Sequence, residues 1–431
     1  MRDAIIFLLV FGSVPFIFKR PAIGVMVFTW LSLMNPHRLT YGAAYNFPFA
    51  MVIGLVTLAV LAVRPGPKKL PIRPLTVVLL LFMAWMTLTT MSAFEPERAW
   101  GEWNRVMKTL FFVLITMAAL NSEKDVKEFA IVVTMSLGFY GFKGGLFTIL
   151  SGGSSRVLGP DGTYITDNND LALALLTTVP LIWYLAQQAT RRWLRLALMG
   201  LALLTMASVL GSYSRGALLG LGAMLGLLWL KSANKMRTGA VLLLLVPLIF
   251  LAMPEQWFER MNTIDNFQGD ASAMGRVNSW HFATNVALDN LMGGGYLTFT
   301  PRMFLRYAPE PLNVHAPHSI YFQVLGEHGF VGLALFLTFL VLGWRTGTRV
   351  VKFCKGRPEL KWASELAAMA QVSLVGYAVG GAFLSLAYFD LLYDIIIILV
   401  LLEKILVLKK TSTARSAALG SVTPGRESKH A

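Results

Sequence analysis

The chain has one cysteine, Cys354, among 431 residues, and only 14% of its residues are charged. A single thiol excludes an intrachain disulfide, and in its basic loop Cys354 reads as incidental. The sequence also lacks a GxxxxGK phosphate loop, a GxGxxG dinucleotide turn, a GxSxG nucleophile elbow and an HExxH metal helix, so no motif supports nucleotide-driven chemistry. His315 and His318 stand at the spacing of a metal pair, but no third and fourth ligand accompany them, and neither metal nor other cofactor is expected. There is no internal repeat and no room for a sizeable soluble domain.

What remains is apolar: 55% of the residues are hydrophobic, in uninterrupted blocks rather than alternating patterns. A membrane span needs roughly 20 apolar residues, and blocks near that length recur throughout, at approximately 4–18, 21–35, 43–63, 75–93, 106–120, 129–150, 170–189, 195–212, 216–231, 238–253, 319–343, 363–385 and 388–408. The expected fold is an all-α polytopic membrane protein of about 12–14 transmembrane helices. It divides into an N-terminal bundle over 1–253, a long polar loop over 254–317, C-terminal spans over 318–408 and a disordered tail over 409–431. The first block reads as a retained helix, with a cleaved signal peptide as the alternative.

The 38 basic residues exceed the 23 acidic ones, giving a formal charge of +15. In a soluble protein this would suggest nucleic acid; here it is read by side of the membrane, and no nucleic-acid partner is expected. One set of alternate loops collects Lys19, Arg20, Arg64, Lys68, Lys69, Arg73, Lys124, Lys127, Arg191, Arg192, Arg349, Lys352 and the tail, which marks it as cytoplasmic. The loops around 94–105, 151–170 and 212–216, with the long stretch 254–317, then lie outside. In that stretch Val277, Trp280, Thr284, Ala287, Leu288 and Leu291 fall at helical spacing and predict a helix along the membrane interface. Gly293-Gly294-Gly295 ends it.

The outer loops mix Arg, His, Asp and Asn. Arg215 lies in a tight turn at membrane depth and calls for an anionic partner, unless it only snorkels. Arg276 lies near the start of the outer helix, where guanidinium and peptide N–H groups can hold a phosphate, or it is a solvated surface residue. Two arginines on one face suggest a pyrophosphate, bound without a metal. His318, after Pro317 and at the mouth of a span, is either a general base for a hydroxyl nucleophile or a capping histidine. Arg156, in the 154–162 loop, and Asp170, in Asp167-Asn168-Asn169-Asp170, are candidates for sugar or acceptor contact, with helix capping the alternative for the latter. Trp280 and His315 join them as possible acceptor or structural contacts. Glu327 and His328 are intramembrane ionisable residues, functional or self-paired in packing.

The order of Tyr213-Ser214-Arg215-Gly216, Gly275-Arg276 with Trp280, Gly293-Gly294-Gly295 and Pro317-His318-Ser319 leading into Leu325-Gly326-Glu327-His328-Gly329-Phe330-Val331-Gly332 resembles the O-antigen ligase and polymerase superfamily. It looks closest to the O-glycosylation ligases associated with exosortase systems. The family usually carries Asn after the histidine, where this chain has Ser319. The resemblance implies a GT-C-like glycosyltransferase of the bacterial inner membrane with its site on the periplasmic side. Its donor would be a glycan on undecaprenyl pyrophosphate and its acceptor a lipid A–core hydroxyl, with inversion at the anomeric carbon. His318 would be the base, and Arg215 and Arg276 the pyrophosphate ligands, with Arg156 secondary. A polymerase that extends a lipid-linked glycan and a ligase that modifies a protein share this donor and stay open. A glycan transporter is the non-enzyme alternative, weakened because most unusual polar residues sit at the outer boundary rather than along a path.

Overall fold

The computed structural model describes residues 1–66, 68–232 and 271–420, with positions 234–236, 239–240, 243, 254–255 and 257–258 between them. The span expected at 238–253 and most of the loop at 254–270 fall outside these residues. Among the described residues there is no strand. The helices are α1 (Arg2–Lys19), α2 (Pro21–Met34), α3 (Phe49–Val63), α4 (Pro74–Met91), α5 (Pro96–Ala119), α6 (Glu123–Leu150), α7 (Asn168–Gln188), α8 (Arg192–Gly211) and α9 (Arg215–Lys231). They continue with α10 (Ala271–Asp289), α11 (Pro301–Tyr307), α12 (Ile320–Cys354), α13 (Lys361–Gly381) and α14 (Asp390–Gly420). Five of them, α4, α6, α7, α8 and α12, are long and apolar enough to cross a membrane, and α2 and α3 are shorter apolar helices. The chain is an all-α polytopic membrane protein.

Helix starts follow local chemistry. Proline opens α2, α4, α5 and α11, where its missing N–H costs nothing. Ser122 and Asp125 form a capping box on α6, and Asp167, Ser214 and Ser319 cap α7, α9 and α12. Two boundaries differ from expectation. Helix α5 begins at Pro96, so the segment expected as the 94–105 loop is mostly helix. Helix α14 continues to Gly420, through the first part of the segment expected to be a disordered tail.

Helix α7 lies in the interior and α13 packs on it, on α9 and on α12; α14 is buried almost throughout residues 390–402. With lipid on one side and apolar side chains on the other, helices associate through small residues that admit close backbone approach. Along α6, a Cβ on Gly141 would lie 2.2 Å from Thr205 Oγ1 and one on Gly145 would lie 2.0 Å from the Leu204 carbonyl oxygen of α8. Because the second obstacle is backbone, Gly145→Ala should lower stability by about 1–3 kcal/mol through overpacking. Thermal unfolding in detergent would show it as a lower midpoint, and an unchanged midpoint would mean that α6 and α8 can separate freely.

The basic end of the bundle is bound together. Arg20 pairs with Asp125 and, at 2.7 Å, with Glu128, while Arg64 caps the end of α1 by donating to the carbonyls of Phe18 and Lys19. The loops carrying Arg215 and His318 are at the opposite end, where α7, α9 and α12 begin.

Candidate active site

Helix α10 carries Arg276 and grips the return chain that leads to His318. Its Asn278 side chain donates to the carbonyls of Glu310 (2.8 Å) and Asn313 (2.9 Å) and accepts from the Glu310 N–H at 2.9 Å. The Ser279 hydroxyl donates to the His315 carbonyl at 2.8 Å, and Trp280 Nε1 donates to the Pro317 carbonyl at 2.7 Å. Gly275 makes room for this strap: a Cβ there would lie 2.4 Å from Cδ2 of the His315 ring. The Trp280 ring stacks on Phe322 at 5.0 Å. These polar contacts place the buried face of α10 on Gly275, Asn278, Ser279, Phe282, Ala283 and Val286, and leave Leu288 and Leu291 exposed. Of the apolar stripe read from the sequence, Leu288 and Leu291 face outward while Ala287 is buried and Trp280 packs on Phe322; α10 packs on α12.

His318 sits between Pro317 and the capping Ser319 with φ of 40°, left-handed for a residue with a side chain. Tyr213, just before α9, has φ of 61°. Both are held by neighbours: Pro317 by Trp280, and Tyr213 by its hydroxyl, which donates to the Gly153 carbonyl. Such backbone costs of order 1–3 kcal/mol each and persists where surrounding contacts determine it.

The His318 ring is mostly buried, and its pKa is pushed down to about 4, first by burial and then by the Arg276 charge, with Asp167 opposing and His315 adding slightly. It is therefore neutral at pH 7, with a lone pair available. Arg276 also acts on Asp170, whose carboxylate receives the Ser385 backbone N–H and has Oδ1 buried without a hydrogen bond. The turn before Arg215 joins the same region: Asn168 donates to the Ser212 carbonyl at 2.7 Å, and the Val157 N–H donates to Gly211 at 3.1 Å. Gly216 abuts Phe383, whose ring centre is 6.4 Å from that of Trp280. The starts of α7, α9 and α12, helix α10 and the 380–385 turn thus meet around Arg276 and His318, with Arg215 at the head of α9 beside them.

Other candidates fall elsewhere. Arg156 is exposed on the rim, within electrostatic range of Tyr213. Glu327 is two turns below and fully engaged: Oε1 accepts the Leu297 N–H at 3.0 Å and Oε2 the Tyr388 hydroxyl at 2.6 Å. Helix α12 breaks at Gly329, with φ of 66°, and the N–H groups of Gly294 and Gly295 take up the freed carbonyls of Gly326 and Glu327 at 2.9 Å. Glu327 thus fastens the glycine run to the bundle. Its neighbour His328 bonds Thr89 through Nδ1 at 2.7 Å. Phe383 and Ser385 fall within the span expected at 363–385, but the helix ends at Gly381 and both lie in the turn that follows; Asp167 stood in the polar run read as a sugar contact or a helix cap.

Residues 200–337 match the family model described as O-antigen ligase. This segment belongs to the O-antigen ligase-like superfamily. It contains Arg215, Arg276, Trp280, His315, His318 and Glu327, so Arg276 and His318, at the centre of the cluster, fall inside the match, while the start of α7 and the 380–385 turn lie outside it. Residues 1–190 match a second model, described as a family of unknown function (DUF5935), which contributes Arg156 and Asp170. The comparison with curated proteins found no match. The match of this segment supports glycan transfer of the ligase or polymerase kind, and the matched family implies lipid-linked glycan substrates in a membrane setting.

If Trp280 positions His318, Trp280→Phe should keep the stack on Phe322, lose the bond to Pro317 and lower kcat about tenfold, the scale of one hydrogen bond. Initial-rate kinetics should find donor KM little changed. A raised KM with normal kcat would make Trp280 a substrate contact instead.

Proposed function

We propose that this protein is an O-antigen ligase. It transfers a glycan from undecaprenyl pyrophosphate to a lipid A–core hydroxyl at the periplasmic face of the inner membrane. The observation that carries this reading is the meeting of a neutral, mostly buried histidine with an arginine at the entrance to a membrane helix, inside the ligase-type segment. The alternation of basic loops supports the sidedness, since Arg20, Arg64, Lys124 and Lys127 gather at the end away from His318.

In this mechanism Arg276 and Arg215 hold the pyrophosphate, assisted by the helix N-terminus at Arg215. Their charge stabilises the negative charge that develops on the departing undecaprenyl pyrophosphate. His318 takes the proton of the acceptor hydroxyl as its oxygen bonds to the anomeric carbon on the face opposite the leaving group, which inverts the centre. The C–O bond to the pyrophosphate breaks, and the electron pair leaves with the phosphate oxygen. The fixed guanidinium charges supply what a divalent ion supplies in other phosphate chemistry. Arg156, exposed on the rim, is a secondary contact for the glycan.

The test is transfer in proteoliposomes supplied with undecaprenyl-pyrophosphate glycan and lipid A–core, with and without chelator. Glycosylated lipid A–core formed in both conditions is the expected product. Elongated lipid-linked glycan with no modified core would instead identify a polymerase.

A further inference from the structure

A groove of about 490 Å³ opens between α2, α3 and α5, away from the His318 cluster. Its walls are Phe28, Gly54, Leu55, Leu58, Phe111 and Phe112; Leu55 and Phe111 are 59% and 52% exposed on the outside of the bundle, where lipid lies. Arg105, Lys108, Asn35 and Tyr164 mark its other end. The chain direction of all three helices agrees on the layout. Along α2, α3 and α5 the polar rim faces the end where α7 begins, four residues beyond Tyr164, and the apolar walls lie deeper.

The rim carries two cations, one of them already paired. Arg105 stacks over the Tyr164 ring at 3.6 Å and stands 3.9 Å from Glu102, which also accepts the Tyr164 hydroxyl at 2.8 Å. Lys108 forms no ion pair among the described residues and sits where the polar outer half of α5 gives way to its apolar half. A cation at that depth calls for an anion. Asp390 also lines the groove, with one carboxylate oxygen taking the Ser32 hydroxyl and the other buried without a hydrogen bond.

We propose that this groove holds one anionic phospholipid of the surrounding bilayer, its phosphate between Lys108 and Arg105 and one acyl chain between α3 and α5. Layout favours this occupant. The apolar walls open toward the lipid side and the two cations stand at their polar end, which matches an acyl chain below a phosphate. The site is separate from the pyrophosphate cluster and does not depend on the assigned reaction. All but one of the groove residues, Asp390 excepted, come from residues 1–190, the segment matched to a family of unknown function.

Native mass spectrometry of the purified full chain, titrated with phosphatidylglycerol, phosphatidylcholine or undecaprenyl phosphate, tests this. One phosphatidylglycerol should bind about thirtyfold more tightly than phosphatidylcholine, as two interfacial cations at about 1 kcal/mol each predict. The double variant Arg105→Gln/Lys108→Gln should abolish that preference while thermal stability is kept. Gly54→Leu, where a Cβ meets only ordinary contacts at 3.5 Å, should narrow the groove and reduce retention with both cations present. Equal retention of the two phospholipids, a preference that survives the double variant, or displacement of phosphatidylglycerol by undecaprenyl phosphate would each overturn the proposal.

Discussion

His318→Ala is expected to lower glycan transfer by about 10³-fold, within the range for loss of a positioned general base, while donor binding changes only a few-fold. The pH profile gives a second signature. With its pKa held down to about 4, His318 in the free protein carries no proton at pH 7. Activity measured as kcat/KM should therefore be level through neutral pH and fall only as pH approaches about 4. When a pyrophosphate occupies Arg276, the anion offsets the charge that depresses the histidine. The limb seen in kcat, which reports the bound complex, should then lie at higher pH than the limb in kcat/KM. Stability follows the same group in a definite direction. The folded state takes up this proton near pH 4 and the unfolded chain near 6.5, so the contribution of His318 to stability is present above about pH 6.5. It is lost as pH falls from there toward 4. Thermal midpoints of His318→Ala and the native protein should converge on acidification, and parallel midpoints from pH 7 to 4 would contradict the burial of the ring.

Arg276 is predicted to have two separable effects. Arg276→Gln should reduce transfer by about 10²–10³-fold, the cost of removing one preorganised donor from a developing anion. It should also shift the acid limb of kcat/KM upward, because removing a positive neighbour makes His318 easier to protonate. Arg276→Lys keeps a charge but loses the planar fork. It should leave the limb near its native position and still lose most of the rate. If Gln and Lys move the limb equally, the coupling between Arg276 and His318 is not electrostatic. If neither changes the rate, the pyrophosphate lies elsewhere.

Much of this architecture is written in the sequence because lipid imposes simple rules. Block length marked most of the helices, alternate basic loops placed Arg20 and Arg64 at one end of the bundle, where the structure also has them, and Pro317-His318-Ser319 marked a helix entrance. Periodicity at α10 showed a stripe suited to the membrane interface, and Leu288 and Leu291 of that stripe are exposed, but it did not show what holds the other face. The inward face is set by Asn278 and Ser279, which bind the backbone of residues 310–315. Such side chain to backbone contacts across some 30 residues leave no periodic trace. The rule that intramembrane charge marks function pointed to Glu327, whose partners here are the Leu297 N–H and Tyr388. They make it a fastener for a helix break. Phe383 and Ser385 could not be recognised in advance, since their role comes only from the turn that brings α13 and α14 beside α7 and α9.

The most direct test of the central claim follows undecaprenyl pyrophosphate itself. Proteoliposomes containing native protein or His318→Ala would be loaded with radiolabelled donor and acceptor, and bound donor and released carrier would be measured together. The account predicts that native protein releases one carrier for each glycan transferred, and that His318→Ala binds donor almost normally yet releases almost none. Carrier release by His318→Ala at a rate close to native would contradict it.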